Sequence, residues 1–343
     1  MKILITGGAG YIGSNVAKLF LETTLHDVFI IDNLSTGSLK TIETLETIAL
    51  ESKKGELRFS EADLSDFNSI ERIFLSENFD VIIHFAASIV VPESVENPLK
   101  YYLNNTVNTT NLIQLAIKFG VKQFIFSSTA AVYGEPDTPS VSETTPTRPI
   151  NPYGMSKLMS ETILQDTAKA HSDFKFIILR YFNVAGASLD NRIGQSFPNA
   201  THLIKIAAEC AAEKREKIFI FGEDYPTSDG TCIRDYIHIE DLASAHIAAF
   251  EYLRIKEKSD IFNCGYGHGY SVKEVIDMMK NVYGIDFEIV LAPRRDGDPV
   301  QLIAENQKIL NTLSWKPKRN DLSLICKTAL AWERQKGTSI AKK

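Results

Sequence analysis

The first 180 residues alternate short apolar runs with longer amphipathic stretches. Apolar runs rich in Ile, Val and Phe predict strands at Lys2–Thr6, Val28–Asp32, Leu57–Ala62, Phe79–Phe85, Gln123–Ser127 and Lys175–Tyr181. Between them the pattern predicts helices at Tyr11–Thr24, Leu39–Lys54, Phe67–Ser76, Pro98–Phe119 and Pro152–Ala170. Apolar strands joined by crossover helices are typical of a parallel sheet covered on both faces. We therefore predict an α/β fold with a doubly wound, parallel Rossmann sheet.

The alternation breaks after residue 182, and the rest of the chain predicts a second, smaller α+β domain. Its predicted elements are a loop at Asn183–Asn199, a strand at Ile261–Cys264 and helices at His202–Glu213, Asp241–Leu253, Ser271–Tyr283 and Leu322–Arg334. The predicted division is a sheet domain over residues 1–182, with 232–255 returning to it, and a smaller substrate domain over 183–343.

Composition and charge narrow the class of protein. The 343 residues carry 37 basic and 43 acidic side chains, a net charge of −6. A nucleic-acid or anionic-membrane binder would show a basic excess, so we predict neither partner.

The four cysteines form no C-x-x-C pair, which favours buried thiols in a reducing compartment. The most apolar window, Val81–Val91, is shorter than the ~20 residues that span a bilayer. The first strand runs directly into a glycine loop and leaves no room for a signal peptide, so we expect a cytoplasmic protein.

A glycine motif directly follows the first predicted strand. Gly7, Gly10 and Gly13 satisfy G-x-x-G-x-x-G before a predicted helix, the context in which a backbone approaches a pyrophosphate. Asp32 ends the second strand, where a carboxylate accepts from the adenosine ribose and repels a 2′-phosphate, so NAD is favoured over NADP. Asp63 and Leu64, at the end of the third strand, would contact adenine, although an Asp there is equally a cap for the next helix.

A Tyr–Lys pair predicts acid–base chemistry. Tyr153 and Lys157 lie at i and i+4 on one helix face, after a hydroxyl cluster at the end of the fifth strand. The Lys157 charge would lower the pKa of Tyr153 and make it a base for a sugar hydroxyl, with Thr129 bonded to the same oxygen. Tyr252 also has a lysine at +4, Lys256, but it follows no hydroxyl cluster, and we interpret that pair as surface.

These motifs together resemble the extended short-chain dehydrogenase/reductase superfamily. Further segments resemble its UDP-glucose 4-epimerase family over essentially the whole chain: His84-Phe85-Ala86-Ala87, Pro98-Leu99-Lys100-Tyr101-Tyr102, Arg180-Tyr181-Phe182-Asn183, Asp229 to His238 and Ala292 to Asp298.

The resemblance implies a function and a set of site residues. It implies NAD-dependent 4-epimerisation of a UDP-sugar through a 4-keto intermediate, in a homodimer formed by a four-helix bundle of Pro98–Phe119 and Pro152–Ala170. The implied NAD pocket adds, to the residues above, Tyr11, Ile12, Asn33, Phe85, Ala86, Ala87, Asn104, Tyr181 and Phe182. The implied sugar-nucleotide residues are Asn183, His202, Leu203, Phe219, Phe221, Arg234, Tyr236, Arg295, Asp298 and Leu302, together with Thr129 and Tyr153.

Three departures from the family pattern affect this prediction. Thr129 replaces the commoner Ser, which keeps the hydroxyl. Ile89 stands where the glucose-specific type carries Lys, and Leu302 stands where a Tyr or a smaller residue limits sugar size. Leu302 predicts that the N-acetylated UDP-hexosamines are also substrates.

Three other functions remain as alternatives. A 4,6-dehydratase would need Asp-Glu after Thr129, where this chain has Ala130-Ala131. A 4-decarboxylase would need cations for a uronate, and a non-catalytic dinucleotide sensor would be expected to lose the Tyr–Lys pair. His238, Glu240, Asp241 and His246 lack clear metal-ligand spacing; we predict packing and capping roles for them and no metal site.

Overall fold

The structure is a computed structural model that describes residues 1–197, 201–295 and 297–338. Its strands are β1 (Lys2–Thr6), β2 (Asp27–Asp32), β3 (Leu57–Glu61), β4 (Val81–His84), β5 (Gln123–Thr129), β6 (Ser140–Val141), β7 (Lys175–Tyr181), β8 (Asn183–Ala185), β9 (Lys217–Phe221), β10 (Ile233–Arg234), β11 (Tyr236–His238), β12 (Asp260–Cys264), β13 (Tyr270–Ser271), β14 (Glu288–Ala292) and β15 (Gln301–Ala304). Its α-helices are α1 (Tyr11–Thr23), α2 (Leu39–Ser52), α3 (Phe67–Ser76), α4 (Val91–Glu96), α5 (Pro98–Tyr101), α6 (Asn108–Lys118), α7 (Pro152–Ala170), α8 (Leu203–Ala211), α9 (Ile239–Lys256), α10 (Val272–Tyr283), α11 (Gln307–Thr312) and α12 (Leu322–Thr338).

The predicted doubly wound sheet is confirmed. Seven parallel strands lie in the order β12-β7-β5-β4-β1-β2-β3. The winding reverses between β1 and β4, which are paired so that Thr6 lies beside His84. Open α/β sheets bind ligands in the crevice at such a reversal, outside the carboxyl ends of the strands. The loops that begin at Gly7 and Phe85 both start there.

The strand with which the chain returns to this sheet lies beyond the segment predicted to return, 232–255. Residues Asp260–Cys264, which the sequence analysis assigned to the smaller domain, form the edge strand β12 and pair with β7. Helix α9 before it packs against α1. The apolar pattern shows that a strand exists. Which sheet it joins depends on pairing with residues 83 positions earlier in the chain.

Short strands form three smaller sheets. Their orders are β13-β10-β15-β6, β11-β8 and β14-β9. The prediction of a loop over Asn183–Asn199 is wrong at Asn183–Ala185, which is strand β8, and residues 198 and 199 lie outside the described residues. Strands of two or three residues show no periodicity, so the sequence pattern gives no sign of them.

The apolar core is continuous across both parts of the molecule. Buried side chains of the main sheet, such as Ile5, belong to the same cluster as Ile276 and Ile325 in the later helices. All four cysteines are buried free thiols. Among the described residues, no helix has the length and apolar character needed to cross a membrane.

Candidate active site

One cleft runs along the carboxyl edge of the main sheet to the smaller sheets. Every residue that the sequence analysis assigned to catalysis, cofactor or substrate lines this cleft. It is also lined by residues that the sequence reasoning did not select, among them Val90, Ile150, Gln195, Lys217, Cys232 and Gly297. These lie in loops or at strand ends, and no motif in the sequence points to them.

The glycine loop fits a pyrophosphate. Gly7 has a positive φ of 73°, and a Cβ atom there would lie 2.6 Å from the Ala86 nitrogen, so only glycine allows this close approach. Helix α1 begins after Gly10, and among the described residues no side chain caps it. The N–H groups of its first turn are therefore left to an anion in the cleft.

Asp32 fits an adenosine ribose. Its carboxylate is buried and accepts backbone N–H bonds from Ala9 at 2.9 Å and Leu34 at 2.8 Å. Burial raises its pKa. Each oxygen keeps lone pairs for a ribose hydroxyl, since a carboxylate has about four acceptor sites.

Asp63 lies beside Asp32 in the cleft and is not the cap of α3. Its carboxylate accepts from the Asn33 amide at 2.7 Å and from the Ser65 N–H at 2.8 Å. Asp66 caps that helix instead, accepting from Ser69. The capping alternative for Asp63 is therefore wrong, and its contact with adenine stays a prediction.

A histidine supports the wall formed by Phe85 and Tyr181. The Phe85 ring packs on His246 with centroids 5.0 Å apart, and the Tyr181 hydroxyl is hydrogen-bonded to His246 Nε2. His246 Nδ1 lies 2.9 Å from the Leu242 carbonyl, which can only accept, so Nδ1 carries the proton and Nε2 accepts from Tyr181. Burial lowers the pKa of His246 to about 4, which keeps the ring neutral.

The helix predicted over Pro98–Phe119 contains a π-helical stretch at Tyr102–Val107. Asn105 in this stretch donates to the Ser88 carbonyl and the Ser156 hydroxyl, both at 3.0 Å, and accepts from the Ser88 N–H. It therefore joins the loop after β4 to the helix that carries Tyr153. Single π turns within α-helices are frequent at functional sites.

Thr129, Tyr153 and Lys157 all line the cleft. Thr129 ends β5, and its hydroxyl interacts with the phenol of Tyr153. The buried Lys157 ammonium donates to the Ser127 carbonyl at 2.8 Å. Burial lowers the pKa of Lys157 to about 7, and the charge of Glu161 acts against that shift.

Burial raises the pKa of Tyr153, against a smaller lowering by Thr129. The hydrogen bond that the structure shows for the Lys157 ammonium goes to a carbonyl oxygen rather than to the phenol. The lowering of the Tyr153 pKa by the Lys157 charge stays a prediction.

The predicted diphosphate residues are already engaged with neighbouring side chains. Arg234 forms an ion pair with Asp298, and the Arg295 guanidinium lies 3.7 Å from the centroid of the Phe221 ring. Both arginines still line the cleft. A guanidinium has five N–H donors, so one ion pair leaves donors for a phosphate.

His202 and Leu302 also lie in the substrate part of the cleft. His202 is half-buried and hydrogen-bonded through Nδ1 to Gln195 at 2.9 Å, and its partial burial lowers its pKa. Leu302 pairs with Arg234 across β15 and β10 and packs in a small cluster with Val141 and Phe182.

A Rossmann sheet with this glycine loop, a ribose carboxylate and a Tyr–Lys pair defines an NAD-dependent enzyme of the short-chain dehydrogenase/reductase type. The sequence model of the NAD dependent epimerase/dehydratase family matches residues 3–265 of this chain. The chain belongs to that family, and the prediction of NAD as its cofactor is confirmed.

Individual relatives are similar over nearly the full length. The chain is 45% identical to a UDP-glucose 4-epimerase of Azospirillum brasilense, covering 99% of this chain and 94% of the relative. A solved UDP-Glc/GlcNAc 4-epimerase from Campylobacter jejuni is 60% identical with a TM-score of 0.84, covering 97% of this chain and 99% of that one. A UDP-glucose 4-epimerase from Bifidobacterium longum, solved with NAD+ and UDP, is 35% identical with a TM-score of 0.92, covering 98% and 99%. The predicted epimerase family is confirmed.

Proposed function

We propose that this protein interconverts UDP-glucose and UDP-galactose by epimerisation at carbon 4, through a 4-keto sugar. The observation that carries this proposal is that Thr129, Tyr153 and Lys157 line one cleft together with the predicted NAD residues and the predicted sugar-nucleotide residues. The relatives named as UDP-glucose 4-epimerases support the same substrate class.

In this mechanism Tyr153 takes the proton of the 4-hydroxyl and returns it when the 4-keto group is reduced, and Thr129 hydrogen-bonds the same oxygen. NAD, when bound, would supply the acceptor and then the donor of the hydride at carbon 4. Arg234 and Arg295 hold the diphosphate with their planar donor groups, so that the sugar turns while its tether stays bound. The protein contributes mainly positioning and a proton acceptor.

The test is conversion of UDP-galactose by the purified protein without added cofactor. The expected result is formation of UDP-glucose, with NAD released when the protein is denatured. Absence of conversion would contradict the proposal, and formation of a stable 4-keto-6-deoxy sugar would favour the dehydratase. Ala130 and Ala131, which follow Thr129 in the cleft, supply no acid for that elimination.

One residue supports acceptance of an N-acetyl group by the proposed sugar pocket. Leu302 lies in its wall, 8% exposed, beside Phe182 and Val141. Leucine lacks the ring and hydroxyl of tyrosine, and pressing three extra heavy atoms against a filled wall costs about 1–3 kcal/mol. We therefore propose that UDP-N-acetylglucosamine and UDP-N-acetylgalactosamine are also substrates.

Kinetics of both substrate pairs on Leu302→Tyr test this breadth. The N-acetylated pair should lose about tenfold or more in kcat/KM relative to the plain pair. Leu302→Met, of similar volume, is the matched control and should leave the ratio unchanged. An unchanged ratio in Leu302→Tyr would show that Leu302 only packs beneath the pocket.

We also propose a homodimer. Leu99, Leu103 and Val107 lie in the helical segment that the sequence predicts to form the dimer interface, and they are 70%, 61% and 44% exposed. Large apolar side chains exposed close together in this way are typical of an interface.

Sedimentation should give a dimer that Leu103→Glu dissociates. Leu50→Glu, at an exposed leucine on α2, should leave it intact. A monomeric parent protein would contradict the proposal.

A further inference from the structure

A buried carboxylate lies directly beneath the predicted sugar-nucleotide residues. Asp235 stands between the end of β10 and the start of β11, and it has no exposed surface. Its side chain accepts N–H bonds from Tyr266 at 2.9 Å, Gly267 at 2.9 Å and Ala304 at 3.3 Å. These donors belong to the loop after β12 and to the end of β15, so one carboxylate joins three segments that are distant in sequence.

The backbone of Asp235 holds two residues of the cleft. Its carbonyl accepts from the Asn183 backbone N–H at 2.9 Å and from the Asn183 side chain at 3.2 Å. Its own N–H donates to the Leu302 carbonyl at 3.3 Å. Its covalent neighbours are Arg234 and Tyr236. Four residues that line the cleft are therefore bonded to, or adjacent to, this one buried group.

Among side-chain groups, only a carboxylate satisfies the hydrogen-bond donors around residue 235. Three N–H groups point at its two oxygens, and only a carboxylate offers enough lone pairs without presenting a donor of its own. The Asp235 carboxylate also lies against the backbone of Gly265. A Cβ atom at that glycine would lie 2.6 Å from Asp235 Oδ2. The loop after β12 is built around the position of this carboxylate.

We infer that Asp235 is a positioning residue for the nucleotide-sugar site, which holds Asn183, Arg234, Tyr236 and Leu302 in the arrangement that binds UDP. The inference rests on the proposed function, since it assumes that these residues bind a UDP-sugar. A shift of about 1 Å in such residues can cost about 100-fold in function. Thr129 ends β5, Tyr153 and Lys157 lie on α7 and the glycine loop follows β1, all outside the hydrogen bonds of Asp235.

The test compares Asp235→Asn with Asp241→Asn. Asp241 is the matched control because it is also a buried carboxylate, 3% exposed, that accepts backbone N–H bonds, here from Lys318 and Arg319. It even shares a partner, accepting from the Tyr266 hydroxyl at 2.7 Å. It has no recorded hydrogen bond to the four residues that Asp235 holds.

For both variants we would measure the Kd of UDP by calorimetry, KM and kcat for UDP-galactose, bound NAD and urea unfolding. In Asp235→Asn the side-chain amide N–H faces a backbone N–H, and the two donors repel each other. The residues that Asp235 holds should therefore shift, and the Kd of UDP and the KM should rise about 10- to 100-fold. Its kcat and NAD content should change much less. Asp241→Asn should lose stability but keep its affinity for UDP.

An unchanged Kd in Asp235→Asn would overturn the inference, and so would an equal loss of affinity in both variants. If Asp235→Asn does not fold, Gly265→Ala decides, because its methyl group displaces the carboxylate while the charge remains. It too should raise Kd and KM, and unchanged values would overturn the inference. Failure of the parent protein to bind UDP or convert UDP-galactose would instead refute the proposed function.

Discussion

Among single residues, Lys157 shows how burial alters an expected role. Its spacing from Tyr153 places both on one helix face, as the sequence predicts. In the folded chain the ammonium is 3% exposed and bonded to the Ser127 carbonyl, with a pKa lowered to about 7. Glu161, one turn further along α7, acts against that lowering. Whether Lys157 is charged near neutral pH thus depends on a neighbour that the Tyr-x-x-x-Lys motif does not include.

Tyr153→Phe tests the proposed base at this scale. The ring still packs edge-on against Tyr101, with centroids 6.4 Å apart, while the phenol is lost. Turnover should fall by at least the ~10²–10⁴ that a general base contributes, with NAD still bound. Steady-state kinetics and the NAD content measure this. Tyr252→Phe is the control, because Tyr252 also has a lysine at +4 but does not line the cleft. Near-normal turnover in Tyr153→Phe would refute the assignment.

Among the elements, helix α7 is attached to the main sheet by a buried ion pair between Glu161 and Arg180. Arg180 on β7 donates two hydrogen bonds to the Glu161 carboxylate, at 3.0 and 2.6 Å, and Ser128 on β5 donates a third at 2.5 Å. A further guanidinium nitrogen donates to Tyr133 at 2.9 Å. Because Ser128 precedes Thr129, this cluster holds the catalytic helix and the catalytic strand end together.

Arg180→Met tests that attachment. It leaves the fully buried carboxylate of Glu161 without its counter-ion, and breaking such a pair costs about 3–5 kcal/mol. Urea unfolding should show this loss. The double variant Glu161→Leu, Arg180→Met removes both charges and should recover part of it. A single variant within about 1 kcal/mol of the parent would contradict the prediction.

For the whole molecule, buried histidines predict sensitivity to acid. Burial lowers the pKa of His84 to about 3 and those of His238 and His246 to about 4. In the unfolded chain a histidine has a pKa near ~6.5 and binds a proton that the folded chain does not. Stability should therefore fall as pH drops below ~6.5, by about 1.4 kcal/mol per pH unit for each histidine.

Asp235 partly offsets this effect. Burial raises its pKa to about 6, so the folded chain takes up one proton that the unfolded chain does not until ~pH 4. The net result should still be a lower free energy of unfolding at pH 5 than at pH 7, measured with urea on protein stripped of NAD. His246→Gln, which cannot titrate, should reduce the dependence of the free energy of unfolding on pH by about 1.4 kcal/mol per pH unit, the contribution of one histidine. Equal stability at both pH values would contradict the prediction.

The amino-acid sequence by itself determined six of the seven strands of the main sheet, the glycine loop, Asp32 and the Tyr–Lys pair. These features are encoded locally: strands and helices repeat with periods of two and 3.6 residues, and each motif lies within a few residues of its strand. Alternation of such elements also restricts the topology, because crossovers between parallel strands are right-handed.

Only the tertiary structure decided how the substrate part of the cleft is held. The short strands β8, β10 and β15 have no period to detect, and they exist because distant residues pair with them. The roles of Asp235, Glu161 and His246 likewise depend on partners that lie far away in sequence or on other elements. A buried polar group is stable only when its partners arrive from elsewhere in the fold, and those partners are brought together by packing rather than by any local pattern.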